Sequence, residues 1–206
     1  VIKRKLNQVK HVHFITPYSY SLEIGDEYNA AIKVLPANAW VCINDQDTLK
    51  PPGFAERVKY VIEYEIGEPD SMLVGCKTNR MSKANTNVVQ HLHEEENISV
   101  HLSYADSLWA EKKTALVEND VVAGYCMIFN KQLWEKVGGF PRASIRFDSW
   151  LSERANTFTA EGLYIFHLYR WWNRKAPEKR YRHLLRAGSL CGDPYVGVQP
   201  GSNRFM

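Results

Sequence analysis

Asp45 and Asp47, alternate residues in Asp45-Gln46-Asp47, are the pair in this chain whose spacing points most directly to chemistry. Just past the end of a strand, both carboxylates can turn toward one divalent ion and the diphosphate it neutralises, and such hard oxygen ligands suit Mg2+ or Mn2+. With eight aspartates in 206 residues, roughly 0.3 such triplets arise by chance. An Asx turn closing a strand therefore stands beside the metal reading. Asp148, in Arg146-Phe147-Asp148-Ser149-Trp150-Leu151, has the residue type of a general base that takes a proton from a hydroxyl. It equally has the type and place of a helix N-cap. His167 ends the run Gly162-Leu-Tyr-Ile-Phe-His and can offer a neutral imidazole to a metal already held by carboxylates, or serve as a hydrogen-bonded core histidine. His91 and His93 read as exposed. No Gly-x-Ser-x-Gly elbow and no Gly-x-x-x-x-Gly-Lys-Ser/Thr loop occurs, which argues against serine hydrolases and P-loop nucleotidases.

These residues need a scaffold, and the apolar pattern describes one. Residues 9–16 predict a strand that ends at Pro17. Tyr28, Ala31, Ile32 and Leu35 follow at helical spacing, with Asp26 as the expected cap and Pro36 as the stop. Residues 39–44 form a continuous apolar run, the mark of a strand covered on both faces, which delivers Asp45 to its C-terminal end. Pro51-Pro52 open a second helix through Phe54, Val58, Val61 and Ile62, and a strand is expected at residues 72–76. Residues 82–119 are polar and weakly periodic, with room for one or two helices. A strand at 121–129, a helix at 131–137 stopped by Gly138-Gly139, and a last short strand at 163–167 complete the pattern. Alternating strands and helices predict an α/β domain with a parallel or mixed sheet, in which ligands gather beyond the C-terminal ends of strands.

Composition bounds the class. The 206 residues, 45% hydrophobic and 12% aromatic, suffice for one well-filled core. No apolar run reaches the ~20 residues needed to cross a bilayer. Cys42, Cys76, Cys126 and Cys191 are widely spaced and three lie in strand-like runs, so buried reduced thiols and a cytoplasmic setting are expected. The net charge of +3 conceals a basic segment between Arg170 and Arg186. It could be a solvated helix whose aromatics pack on the domain, bind a diphosphate through Arg170, touch an anionic membrane surface, or bind nucleic acid by stacking Tyr169, Trp171, Trp172 and Tyr181.

In order and spacing, these pieces resemble the family 2 glycosyltransferases of the GT-A fold, and most their short, phage-like or bacterial members. The resemblance rests on Ile15-Thr16-Pro17 with Gly25 to Asn29, on the run from Trp40 to Thr48, on residues 122–129 with Trp134 to Phe140, and on Phe147-Asp148 followed by residues 162–170. It implies a Rossmann-like GT-A catalytic domain over residues 1–172, a central mixed sheet flanked by helices, and a basic tail at 173–206. It further implies that Asp47 binds the metal, that Asp45 contacts the nucleotide sugar and shares the ion, that His167 completes the coordination and that Asp148 is the base. Thr16, Pro17, Asn29 and Arg170 would line the donor site, and Gly124 and Trp150 the acceptor side. The implied reaction is a metal-dependent, inverting transfer from a nucleotide sugar, with UDP as the default base, to a hydroxyl of a glycan, lipid-linked or protein acceptor. Only 44 residues precede Asp45, so the nucleotide half is expected to be abbreviated, and Asp148 stands where the family carries an acidic pair. Two rivals are a catalytically silent domain of the same fold that binds a sugar nucleotide or glycan, and a nucleic-acid module built on the basic tail.

Overall fold

The apolar run before Asp45 is strand β2 (Trp40–Asn44), buried at every position. The computed structural model describes residues 11–16, 24–81, 87–113, 115–142 and 146–168. Strand β1 (Val12–Ile15) runs parallel to β2 on one side and β6 (Cys126–Asn130) antiparallel on the other. Beyond β6 lie β4 (Met72–Thr78), β7 (Asn156–His167) and the edge strand β3 (Thr48–Leu49), while β5 (Leu116–Glu118) pairs with β7 off that path. The protein is thus an α/β fold with a mixed seven-stranded sheet in the order β1-β2-β6-β4-β7-β3, flanked by helices.

Each face of the sheet has its own core. Helix α2 (Phe54–Tyr64) lays Phe54, Val58, Val61 and Ile62 against Cys42, Val74, Cys76 and Ile128. On the opposite face, α1 (Ile24–Lys33), α4 (Lys131–Lys136) and α5 (Phe147–Ser152) pack Tyr28, Ile32, Leu133 and Phe147 onto Val41, Ile43 and Phe129. Each such aliphatic side chain contributes about 1.5–3 kcal/mol when fully buried. Helix α3 (Ile98–Lys112) covers the far end of β7 through Ala105, Tyr164 and Phe166. Lys131 fastens one helix to the next element: its Nζ donates to the carbonyls of Lys33 (3.0 Å) and Leu35 (2.7 Å), closing the C-terminal end of α1.

Several elements differ from the sequence expectation, each for a physical reason. Asp26 lies inside the first turn of α1 instead of capping it. The strand expected at 121–129 begins only at Cys126; residues 121–125 form a connection, exposed at Val121 but buried at Val122, Gly124 and Tyr125, pinned by the Ser152 hydroxyl, which donates to the Val122 carbonyl and accepts from the Val122 N–H. Apolar composition does not separate a buried loop from a strand. The strand expected at 163–167 starts at Asn156, and a bulge divides it, Cys76 pairing with Ala160 but Lys77 with Tyr164. Helix α3 escaped periodicity because only His101 and Ala105 are buried along its fifteen residues. His93 is half-buried, its ring Nδ1 facing the Asn79 carbonyl at 3.3 Å, whereas His91 is exposed as expected.

Cys42, Cys76 and Cys126 are buried free thiols, and burial pushes Cys42 and Cys76 well above the ordinary thiol value. Among the described residues no helix is long and apolar enough to cross a membrane. Pro17, Arg170, Cys191 and the tail at 173–206 lie outside the described residues.

Candidate metal centre

The turn that follows β2 returns immediately as β3, and this short excursion creates the site. The Thr48 hydroxyl donates to the Asp45 carbonyl at 2.7 Å, closing the turn. Thr48 pairs antiparallel with His167, and the Leu168 N–H donates to the Asp47 carbonyl at 2.8 Å. Strand register therefore carries the end of β7 to the end of β2, although 120 positions of sequence separate Asp47 from His167.

Asp45, Asp47 and His167 each present one ligand atom, and these atoms all lie within 4.8 Å of one another. Asp45 is half-buried, whereas Asp47 and His167 are buried. His167 Nε2 stands 3.2 Å from Asp47 Oδ1. Ligands bound about 2.1 Å from an octahedral ion are about 3.0 Å apart when adjacent and about 4.2 Å apart when opposite, so this spacing fits one shared cation. The histidine tautomer adds a chemical reason. His167 Nδ1 lies 3.0 Å from the Arg80 carbonyl, which can only accept, so Nδ1 carries the hydrogen. In the neutral ring Nε2 then presents a lone pair to a carboxylate oxygen. Two electron-rich atoms face each other, an arrangement made favourable by a metal ion or by a proton on Nε2.

A second layer holds the imidazole. Asn79 Oδ1 accepts the His167 backbone N–H at 2.8 Å, and the Tyr125 ring lies 5.3 Å from the imidazole, centroid to centroid. Asn79 and Arg80 are buried polar residues just past the C-terminal end of β4. Sequence reading missed them. The rule that singled out Asp45, polar residues at the carboxyl end of a buried strand, applies equally to Thr78-Asn79-Arg80 and would have found them.

Asp148 sits on α5, in its first turn; the N-cap position belongs to Arg146. Its Oδ1 accepts the Ser149 N–H at 2.7 Å and its Oδ2 the Gly124 N–H at 3.3 Å. Burial raises its pKa above the ordinary carboxylate value, and the bonds from Ser149 and Gly124 work against that rise. Tyr28 packs against α5. Its buried phenol is pushed well above its ordinary value by desolvation and then by the charges of Asp45 and Asp148, and its ring packs 4.7 Å from that of Phe147.

The remaining predicted site residues have varied surroundings. Thr16 is exposed immediately after β1, at the sheet edge shared with Asp45, because Ile15 pairs with Ile43. The Asn29 amide is a clasp: Oδ1 accepts from Trp134 Nε1 (3.0 Å) and from the Phe140 N–H (2.8 Å), while Nδ2 donates to the Phe140 carbonyl (2.9 Å). Gly124 touches Phe147 so closely that an added Cβ would lie 2.7 Å from Cζ. Trp150 donates through Nε1 to the Gly139 carbonyl and stacks beneath the Arg154 guanidinium. Asn29 and Trp150 therefore brace the Gly139-Phe140 turn beside α5.

No protein-family model matches the chain, and neither does any curated protein. Among solved structures the chain matches the mannosyltransferase PcManGT from Pyrobaculum calidifontis, determined in complex with GDP-Man and Mn2+, at 19% sequence identity and a TM-score of 0.41. The match covers 79% of this chain and 39% of that one, so this chain spans about two fifths of the length of the protein it matches.

Proposed function

We propose that this chain is a metal-dependent glycosyltransferase of the family 2, GT-A type, moving a sugar from a nucleotide sugar to an acceptor hydroxyl with inversion. The observation that carries the reading is the convergence of Asp45, Asp47 and His167 within 4.8 Å, with His167 held in the tautomer that turns Nε2 toward Asp47. Asp45, Asp47 and His167 would hold Mn2+ or Mg2+, which supplies positive charge to a leaving nucleoside diphosphate. Thr16, on the same sheet edge, borders the donor.

Asp148 is the base in this reading. A base must be ionised before it accepts a proton, and it gains basicity from burial; Asp148 combines the two, since burial raises its pKa while the Ser149 and Gly124 N–H groups keep the anion solvated. It takes the proton of the acceptor hydroxyl as that oxygen attacks the anomeric carbon and the bond to the diphosphate breaks.

The test is release of nucleoside diphosphate from a panel of UDP- and GDP-sugars with Mn2+, Mg2+ or EDTA. The reading requires release that depends on metal and is abolished by Asp47→Ala in a variant that keeps its circular dichroism. Undiminished turnover by Asp47→Ala contradicts the metal assignment. A catalysis loss of about 10²–10⁴-fold in Asp148→Asn, with donor binding kept, is the expected signature of a lost general base.

A further inference from the structure

On the other face of the ribbon formed by β3 and β7 lies a cavity of about 260 Å³. Leu49 pairs with Phe166 one register step from Thr48 and His167, and side chains alternate across a strand, so Phe166 turns away from the metal group and into this cavity. Pro51, Pro52, Leu102 and Phe166 form its walls, and Leu49 and Ile98, 40% and 50% exposed, stand among its lining residues.

Besides Lys50, two polar side chains line it, His101 and Tyr164, and their hydrogens are committed. His101 Nε2 lies 3.1 Å from the Glu95 carbonyl and so carries the ring hydrogen, leaving Nδ1 to accept the Tyr164 hydroxyl at 2.7 Å. The imidazole stacks on Phe166 at 3.9 Å, and burial lowers the pKa of His101, favouring the neutral ring. A sugar hydroxyl or a nucleobase entering here would leave water without gaining a side-chain donor from this wall. A hydrocarbon would leave water at a gain. The volume is below the ~300–1,000 Å³ of pockets that enclose a whole drug-sized ligand, so the cavity suits one part of a larger molecule.

Charge identifies the other part. Among the described lining residues Lys50 is the one Lys, Arg, Asp or Glu, and it is exposed. It follows Asp47 by three residues, at most ~11 Å of extended backbone. We propose that this cavity binds the hydrocarbon tail of a single anionic amphiphile, a lipid phosphate or its like, whose head group pairs with Lys50. The binding site stands on its own; that such a molecule is the acceptor of the transfer rests on the reading above.

The experiment titrates the full chain in EDTA, which keeps the metal centre out of the measurement, with n-butyl, n-hexyl, n-octyl and n-decyl phosphate below their micellar concentrations. Affinity should tighten about fourfold per methylene until the cavity is filled. Decyltrimethylammonium should bind at least tenfold more weakly than decyl phosphate, and Lys50→Glu should reverse that preference. Ile98→Asp places a carboxylate in the first turn of α3, where the helix dipole favours it, so the fold is kept, and it should weaken decyl phosphate at least tenfold. Equal affinity for butyl and decyl phosphate overturns the tail site. Indifference to Ile98→Asp in a variant with unchanged melting temperature does the same. Equal binding of the cationic amphiphile overturns the role of Lys50. Loss of this binding with metal-dependent turnover intact would leave the transferase reading standing, and the converse would leave the lipid site standing.

Discussion

His167 and Asp47 meet because the antiparallel register of β3 on β7 brings them together. The imidazole is anchored from behind by the Arg80 carbonyl and from its own backbone by Asn79, which leaves Nε2 directed at a buried carboxylate. Outer groups of this kind set the affinity of a metal site, and their loss typically costs ten- to a hundredfold. Asn79→Ala should weaken Mn2+ binding by about that factor in an electron paramagnetic resonance titration. A purely structural Asn79 would lower the melting temperature without moving the metal affinity. Asp148 allows a test by pH. Because burial raises its pKa, the folded chain holds that proton more tightly than the unfolded chain does. The resulting stabilisation is fully present below about pH 4, the unfolded value, and is lost as pH rises through the folded value. Melting temperatures of wild type and Asp148→Asn should therefore diverge in favour of the wild type as pH falls from 7 toward 4. A difference that stays constant with pH would show that burial does not perturb this carboxylate.

At the scale of elements, the carboxylate of Asp148 is set by a contact at Gly124. Phe147 is 1% exposed and already fills the space in front of that glycine, so Gly124→Ala forces the ring and α5 to move. Overpacking of this sort costs about 1–3 kcal/mol, and it should lower turnover as well as melting temperature because Gly124 N–H is itself a ligand of Asp148. Adding Phe147→Leu should recover stability by making room for the methyl. Lys131→Met offers a contrast. It removes the cap of α1 at the opposite end of the sheet, where Trp40 pairs with Asn130. Two part-buried carbonyls lose a charged donor, a destabilisation of about 1–3 kcal/mol, while Mn2+ affinity should be unchanged. A parallel loss of both would mean that the metal centre answers to global stability alone.

Over the whole molecule, what could be read from the sequence followed from how burial is distributed. Strand β2 announces itself as a continuous apolar run and helix α2 by buried positions at helical spacing, and β2 alone was enough to put Asp45 at a strand's C-terminal end. Helix α3 was indistinct because one side of it meets solvent and only two of its residues are buried, and β7 was cut short by its bulge. Strand β3 has two residues, too few for any period, yet its pairing is what joins Asp47 to His167. That long-range register is invisible to local pattern, whereas Asn79 and Arg80, just past the end of β4, were within reach of the rule that found Asp45. Asn29 and Trp150, which the family resemblance puts on the donor and acceptor sides, also brace the turn at Gly139-Phe140 through hydrogen bonds that local sequence pattern does not reveal.

The proposed function requires that Asp45, Asp47 and His167 hold one divalent ion. An electron paramagnetic resonance titration of free Mn2+ against the wild type and Asp47→Asn, each with nucleoside diphosphate present, measures this directly. The free-ion signal should be suppressed up to one equivalent by the wild type and persist with a folded Asp47→Asn. Equal Mn2+ binding by the two proteins, or none by either, would contradict the metal centre and the function built on it.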